Sequence, residues 1–403
     1  MTRTLSVSMA ALALTIGLGA ATSSAQEKPF RILVLDDLSG IYMGNGGPNT
    51  VLAATMAAED FGGKALGRKI EILSANHQNK PDLGASLAGR YIDQEGVSAI
   101  VLGGSSSAGL AAQAIAKQRG VTTLVTGGYA SNFSADQCSP YGTQWAPSTD
   151  ALANAVAKGL VDAGGKKWFF ITADYAFGKA LFNDASKAVA GAGGSVAGEA
   201  KHPLDSPDMA SQLLQAQSSG ADVIALANAG PDLVTTIKQA REFAVSSKLA
   251  ALLVFTNNVV AMGLDVARDM KFPVAFYWDR NEASRAWGQR IMARNGKQVP
   301  TMGHALAYVA TQHYLKSVAK AGTDNAQAIA RTIRELPIDN DMISNAKIQS
   351  NGRVVMDLMV VQVKGPKDSK DPQADLYNVL HTVPGANLFT PAEKSGCASL
   401  VTQ

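Results

Sequence analysis

Short runs rich in β-branched and aromatic residues alternate with longer amphipathic runs along this chain, and the alternation begins twice. RILVLDD (31–37) reads as a strand and Val51 to Phe61 as a helix; KIEILSA (69–75) reads as a strand and Asp82 to about Gln94 as a helix. SAIVLGG (98–104) leads into a helix near Ser107, and VTTLV (121–125) closes the first series. The second series opens with a helix at Asp150–Ala163, the strand KWFFITA (167–173), a helix at Gly178–Ala190 and a strand near Ser195–Glu199. A helix at Asp208–Gln217, the strand DVIALA (222–227) and a helix at Asp232–Ala244 follow, the last with Leu233, Ile237, Ala240 and Ala244 on one stripe. Adjacent parallel strands need a crossover long enough to hold a helix, so this order predicts open parallel sheets covered by helices. LLVF (252–255) and PVAFYW (273–278) predict further strands. Asn281 to Leu336 reads as almost wholly helical, RVVMDLMVVQVK (353–364) as one half-exposed strand, and the segment from Gly365 as a surface tail. The fold class expected is α/β, with two doubly wound Rossmann-like lobes joined by several crossings.

The first 25 residues differ from the rest. Arg3 supplies a positive charge, Leu5 to Leu18 is apolar, and small residues end at Ser23-Ser24-Ala25. This pattern predicts a cleavable secretory leader, and GLGAAT (17–22) inside it is set aside as a dinucleotide fingerprint. Export makes a disulfide between Cys138 and Cys397 the expected state, worth roughly 5 kcal/mol in the chain-entropy model. Neither cysteine lies near the cleavage site, so a soluble product without a lipid anchor is expected. Charged residues make up 17% and the net charge is +3, too small and scattered an excess for a nucleic-acid partner.

Catalytic motifs fail one by one. A nucleophile elbow needs G-x-S-x-G, and Gly104-Ser105-Ser106-Ser107-Ala108 ends in Ala. Gly63-Lys64-Ala65 lacks the hydroxyl and upstream spacing of a phosphate-binding loop. No H-E-x-x-H or zinc-spaced Cys/His cluster occurs, and His304 and His313 read as packing or surface residues of a helix. No cofactor, no metal and no enzymatic activity are expected.

Polar and aromatic residues instead gather at the carboxyl ends of the predicted strands, where open α/β sheets bind ligands. They are Asp36, Asp37 and Tyr42; Ser105, Ser106 and Ser107; Gly127, Gly128, Tyr129 and Ala130; Asp174, Tyr175 and Phe177; Asn228; Asn257 and Asn258; Trp278 and Asp279. Any one of them could simply cap a helix or form a turn. Their joint occurrence in both halves predicts a cleft between lobes.

With Leu38-Ser39-Gly40 after the first strand, SANHQNKPD (74–82), the serine turn, TADYAFG (172–178), CSPY (138–141) and the terminal SGC (395–397), the chain resembles a known family. It is the periplasmic solute-binding proteins of ABC transporters, in the branched-chain amino-acid (Leu/Ile/Val) group. The resemblance implies a type I periplasmic binding fold with a three-crossover hinge. Lobe 1 is expected at 26–146 plus 279–346, lobe 2 at 147–278 plus 347–384, and a tail at 385–403 tied back by Cys138–Cys397. It also implies a monomeric receptor that delivers solute to an inner-membrane permease, with a sensory subunit or a periplasmic enzyme as alternatives. The solute's carboxylate would meet the turns at Ser105–Ser107 and Gly128–Ala130, with Tyr42, Tyr175 or Phe177, Asn228 and Trp278 around the cleft. Amino-acid binders of the family place an acid after a second-lobe strand to hold the ammonium. The matching stretch here is Phe255-Thr256-Asn257-Asn258, without a carboxylate. Either Asp37, Asp174 or Asp279 takes that role, or the solute is an aromatic or aliphatic carboxylate with no amino group.

Overall fold

The computed structural model describes residues 28–401, with Met1, Thr2 and Thr4. The leader read at 1–25 therefore lies almost wholly outside the described residues. The first lobe is built on β1 (Phe30–Asp36), β2 (Lys64–Ala65), β3 (Arg68–Asn76), β4 (Ala99–Leu102), β5 (Thr122–Val125) and β6 (Gly142–Gln144). They lie in the order β2-β3-β1-β4-β5-β6, parallel except for the β2–β3 pair. Ile32, Leu33, Val34 and Leu35 are wholly buried, as expected where helices cover both sheet faces. Those helices are α1 (Pro48–Asp60), α2 (Pro81–Arg90) and α3 (Ser106–Arg119). The chain passes from β1 to β3 on one side and then to β4 on the other, so the loops after β1 and β4 diverge at a topological switch point.

The chain crosses to the second lobe at Trp145–Ser148, where α4 (Thr149–Asp162) begins. There β7 (Lys167–Ala173), α5 (Ala176–Gly191), β8 (Ser195–His202), α6 (Ala210–Ser218), β9 (Val223–Ala227), α7 (Gly230–Glu242) and β10 (Lys248–Ala251) follow. The order β10-β9-β7-β8 makes a second switch point between β7 and β9. Ile171, Leu213, Leu226 and Ile237 pack one face of this sheet into its own core. After α8 (Thr256–Met262), α9 (Leu264–Ala267) and β11 (Lys271–Val274) the chain returns to the first lobe as α10 (Glu282–Met292), α11 (Met302–Ala321) and α12 (Ala326–Glu335). The antiparallel pair β12 (Lys347–Ile348) and β13 (Val354–Val355) comes next, then β14 (Leu358–Val363) and β15 (Tyr377–Val383), which join β11 in a three-stranded sheet. No described helix is long and apolar enough to cross a membrane.

Four readings of the sequence need correction. LLVF is not a strand: β10 ends at Ala251, and Leu252–Phe255 runs on to α8. PVAFYW is a strand only to Val274, and its remainder crosses between lobes. RVVMDLMVVQVK breaks at Met356-Asp357, because the Asp357 N–H donates to the Ser344 carbonyl (3.0 Å) and its carboxylate accepts the Gly385 N–H (2.9 Å). Just before this break Arg353 forms an isolated parallel bridge with Gln144 of β6. The segment after Gly365 also holds a seven-residue strand, β15. Its tail then turns back, with Cys397 bonded to Cys138 at a Cα–Cα distance of 5.7 Å.

Candidate functional site

The loop after β1 is organised by two adjacent acids with opposite tasks. Asp37 accepts the N–H groups of Gly40 (2.7 Å) and Tyr42 (2.9 Å) and the Asn79 amide (2.6 Å), so it staples the loop that presents Tyr42. Asp36 turns the other way and reaches the space between the lobes. Its carboxylate accepts the N–H groups of Asp37 (2.6 Å) and Gly47 (3.1 Å). Burial pushes the Asp36 carboxyl above the ordinary carboxylate range, against His77 and a hydrogen bond from Thr50.

Asp36 explains why the turn after β4 is Gly103-Gly104. A Cβ on Gly104, which has φ +66°, would stand 2.7 Å from its carboxylate, and one on Gly103 closer still. The glycines make room for a protein carboxylate. His77 fixes the same turn: its Nδ1 accepts the Asn79 N–H (3.1 Å), so Nε2 donates to the Gly103 carbonyl (3.0 Å).

The three serines that follow divide the work. Ser105 is the N-cap of α3, its hydroxyl accepting the Ala108 N–H at 3.5 Å. The Ser106 hydroxyl lines the cavity and accepts the Ala130 N–H at 3.2 Å, joining the turns after β4 and β5. Ser107 reaches across to the second lobe, accepting the Ala176 N–H at 3.2 Å.

Aromatic rings from both lobes close over this floor. Tyr42 stacks on Tyr175 with centroids 6.1 Å apart, and Tyr129 meets Phe177 and Phe255 edge-on at 6.4 and 5.6 Å. Burial holds the phenols of Tyr129 and Tyr175 above their ordinary range, so both stay protonated. The Tyr129 hydroxyl is buried with no hydrogen-bond partner. Between the rings and the glycine turns lies a small, tightly closed cavity. The lobes are shut around it: Asn257 donates to Asn45 (2.9 Å), Thr256 to the Pro300 carbonyl (3.2 Å) and Ser131 to Asp184 (2.7 Å).

Of the residues expected at the site, Tyr42, Ser106, Tyr129, Tyr175 and Phe177 line this cavity. The others are engaged elsewhere. Asp174 is half exposed and pairs with Lys179 (3.1 Å). Asn228 is buried against His202 and Thr236 (3.1 Å each). Asn257 holds Asn45, and the Trp278 indole donates to the Ala374 carbonyl at 2.9 Å. The Gly128 carbonyl accepts from Gln144 (3.0 Å), while Ala130 serves Ser106 through its N–H. Asp279 pairs with Arg285 at 3.2 Å, so none of the three acids named for an ammonium reaches the cavity. Asp36 does, together with Asn45, Gly127, Ala229, Leu253 and Phe255. Strand-end position points to Asp36 and Gly127; Leu253 and Phe255 are hidden when LLVF is read as a strand.

Two doubly wound lobes, each offering its switch point to a shared cleft, define a type I periplasmic binding fold. A family model described as periplasmic binding protein matches residues 29–370. The chain belongs to that family, in the group of ABC-transporter receptors that includes the branched-chain amino-acid binders. A periplasmic binding protein from Burkholderia mallei is 39% identical with a TM-score of 0.90, covering 92% of this chain and 99% of its own. A branched-chain amino-acid ABC transporter ligand-binding protein from Burkholderia xenovorans is 30% identical with a TM-score of 0.82, over 92% and 99%. A leucine-binding protein from Thermotoga maritima shares the fold at 20% identity and a TM-score of 0.75, over 89% and 100%. No curated protein sequence matches the chain. The family consists of non-enzymatic periplasmic solute-binding components of ABC transporters.

Proposed function

We propose that this chain is a monomeric receptor exported by a leader cleaved after Ala25. It would bind a small carboxylated solute, an amino acid or related organic acid, and deliver it to an inner-membrane permease. The observation that carries the reading is the cavity at both switch points, walled by Tyr42 and Tyr129 from one lobe and Tyr175 and Phe177 from the other. A solute there touches both lobes and so favours the closed form over the open one, as differential affinity requires. The first turn of α3 supplies N–H groups and the Ser106 hydroxyl for its carboxylate. Lobe movement is expected about Trp145–Ser148, Ala275–Asn281 and Met356–Asp357, the three places where the chain crosses. The 30% identical relative from Burkholderia xenovorans is described as a branched-chain amino-acid transporter component, which agrees with this solute class.

A thermal-shift screen over amino acids and small organic acids tests the proposal. At a hundredfold excess over Kd, a true solute stabilises the native form by about 2.7 kcal/mol. A transition moved only by uncharged solutes would remove the carboxylate from the reading.

A further inference from the structure

We infer that the C-terminal tail is a fourth connection between the lobes, a strap that the Cys138–Cys397 disulfide keeps fastened and that restrains their opening. This rests on the lobe movement proposed above and adds a determinant of it. The strap is fixed at both ends. It leaves the second lobe, since Leu376 and Tyr377 of the last strand share a core with Ile171 and Leu226. Beyond β15 the Leu388 carbonyl accepts from Asn154 of α4 (2.7 Å), and the Thr390 N–H donates to Asp150 (2.8 Å). Leu388 and Phe389 are buried, so the chain is packed there as well as bonded. The far end is held in the first lobe. Cys397 is bonded to Cys138, just before β6. Lys117 of α3 donates to the Cys138 carbonyl (2.9 Å) and to the Ser399 hydroxyl (3.3 Å), and the Val401 N–H to the Ser350 carbonyl (2.9 Å).

Residues 391–396 span the gap. Lys394 and Ser395 share a groove with Asn132 and Gln137 of the first lobe and with Lys179 and Asn183 of α5 in the second. The hydrogen bond from Ser131 to Asp184 crosses the same groove, so its walls part when the lobes do. Within the span, the N–H groups of Lys394 and Ser395 bond back to the carbonyls of Pro391 (3.0 Å) and Ala392 (3.1 Å), which gathers the strap into one turn. Opening must unwind that turn or pull Thr390 from Asp150, because the disulfide holds the far end. A straight chain gains at most about 3.3–3.6 Å per residue, so the strap from Thr390 to Cys397 reaches roughly 23–25 Å. It limits opening without forbidding it. With the disulfide broken, the end would keep the Ser399 and Val401 hydrogen bonds, each of modest net worth.

The test separates a strap from a disulfide that only stabilises the fold. About eight Gly-Ser residues are inserted after Gly396, which is exposed and where a side chain would meet nothing within 4 Å. The disulfide joins residues 259 positions apart, and closure entropy grows only with the logarithm of loop length, so the insertion leaves its stabilising effect unchanged. A slack strap, however, restrains nothing. Two readouts are taken without solute: solution scattering, and hydrogen exchange at the Ala176 N–H, which Ser107 accepts across the cleft. The insertion should keep the wild-type melting temperature, raise the radius of gyration and speed Ala176 exchange about 2- to 12-fold, equivalent to one hydrogen bond given up on opening. Cys138→Ser with Cys397→Ser should open the molecule equally and also lower the melting temperature. Should that pair not fold, the insertion decides. An insertion variant that matches wild type in both readouts would overturn the strap and leave the disulfide as a staple of the fold. Neither readout uses a solute, so an error in the solute class would leave this result standing.

Discussion

The hydroxyl of Ser107, at the start of α3 in one lobe, accepts the backbone N–H of Ala176, the first residue of α5 in the other, at 3.2 Å. The residue before α5, Tyr175, makes no side-chain cap of its own. The first N–H groups of a helix have no internal partner, so α5 is capped from across the cleft, and only while the lobes are together.

Ser107→Ala should therefore favour the open form by roughly 0.5–2 kcal/mol, the ordinary worth of a helix cap. Solute affinity should fall by a few-fold to about thirtyfold, and solution scattering should report a more extended molecule without solute. Ser107→Thr should restore both. Unchanged affinity and scattering would reduce this contact to coincidence.

Gly103 should accept no side chain. Its missing Cβ is replaced by the Asp36 carboxylate, so Gly103→Ala must push a buried charge out of its hydrogen bonds. The expected loss is at least about 3 kcal/mol, seen as a lowered melting temperature. Gly159→Ala in α4, where nothing lies within 4 Å, should be neutral or stabilising by up to about 1 kcal/mol and serves as the control.

Arg353 and Asp150 form a buried ion pair at 2.8 Å next to the first crossover, with 2% and 10% of their side chains exposed. Asp150 also accepts the Thr390 N–H (2.8 Å), so the pair binds the returning tail to the hinge. Burial alone would raise the Asp150 carboxyl, but the Arg353 charge and these hydrogen bonds bring it below its usual range. Arg353→Met leaves that carboxylate buried and unpaired, which should cost about 3–5 kcal/mol in chemical denaturation.

Acid should loosen the cavity through His304. Its ring is buried at the start of α11, accepting the Thr301 N–H (3.1 Å) and bonding the Gly46 carbonyl (3.0 Å) of the cavity loop. Burial lowers its pKa from 6.5 to about 4. The native ring then stays neutral while the unfolded one takes up a proton, so stability present above pH 6.5 is lost as pH falls toward about 4. The loss should approach about 3 kcal/mol, since each pH unit between those two values is worth about 1.36 kcal/mol. His304→Gln should flatten that part of the profile. A profile equally steep in the variant would move the effect to other groups.

Much of this is legible in the sequence because parallel strands buried on both faces write themselves as apolar runs, and each run's end marks the ligand edge. Tyr42, Ser106, Tyr129, Tyr175 and Phe177 follow from that rule alone. Asp36 and Asp37 show where it stops. Successive residues at a strand end point to opposite sides, and a one-residue ambiguity decides which acid staples the Tyr42 loop and which packs under the Gly103-Gly104 turn. Asp174, Asn228, Asn257 and Trp278 obey the rule by position, yet each is taken by another partner. For Asp174 that partner is Lys179, one turn into α5; for the others it is His202, Asn45 and Ala374, far along the chain. The break of the last long β run at Met356-Asp357 depends on Ser344 and Gly385, which its own composition does not reveal.

If solute is held between Tyr42, Tyr129 and the second-lobe wall, blocking that space at Ala229 must abolish tight binding. Ala229 is 3% exposed and lines the wall just before α7. Ala229→Trp should fill the space from the residue just before α7. Titration calorimetry with the best solute from the screen should then show affinity reduced by at least about 100-fold, with native circular dichroism retained. Wild-type affinity in that variant would place the binding site elsewhere in the molecule.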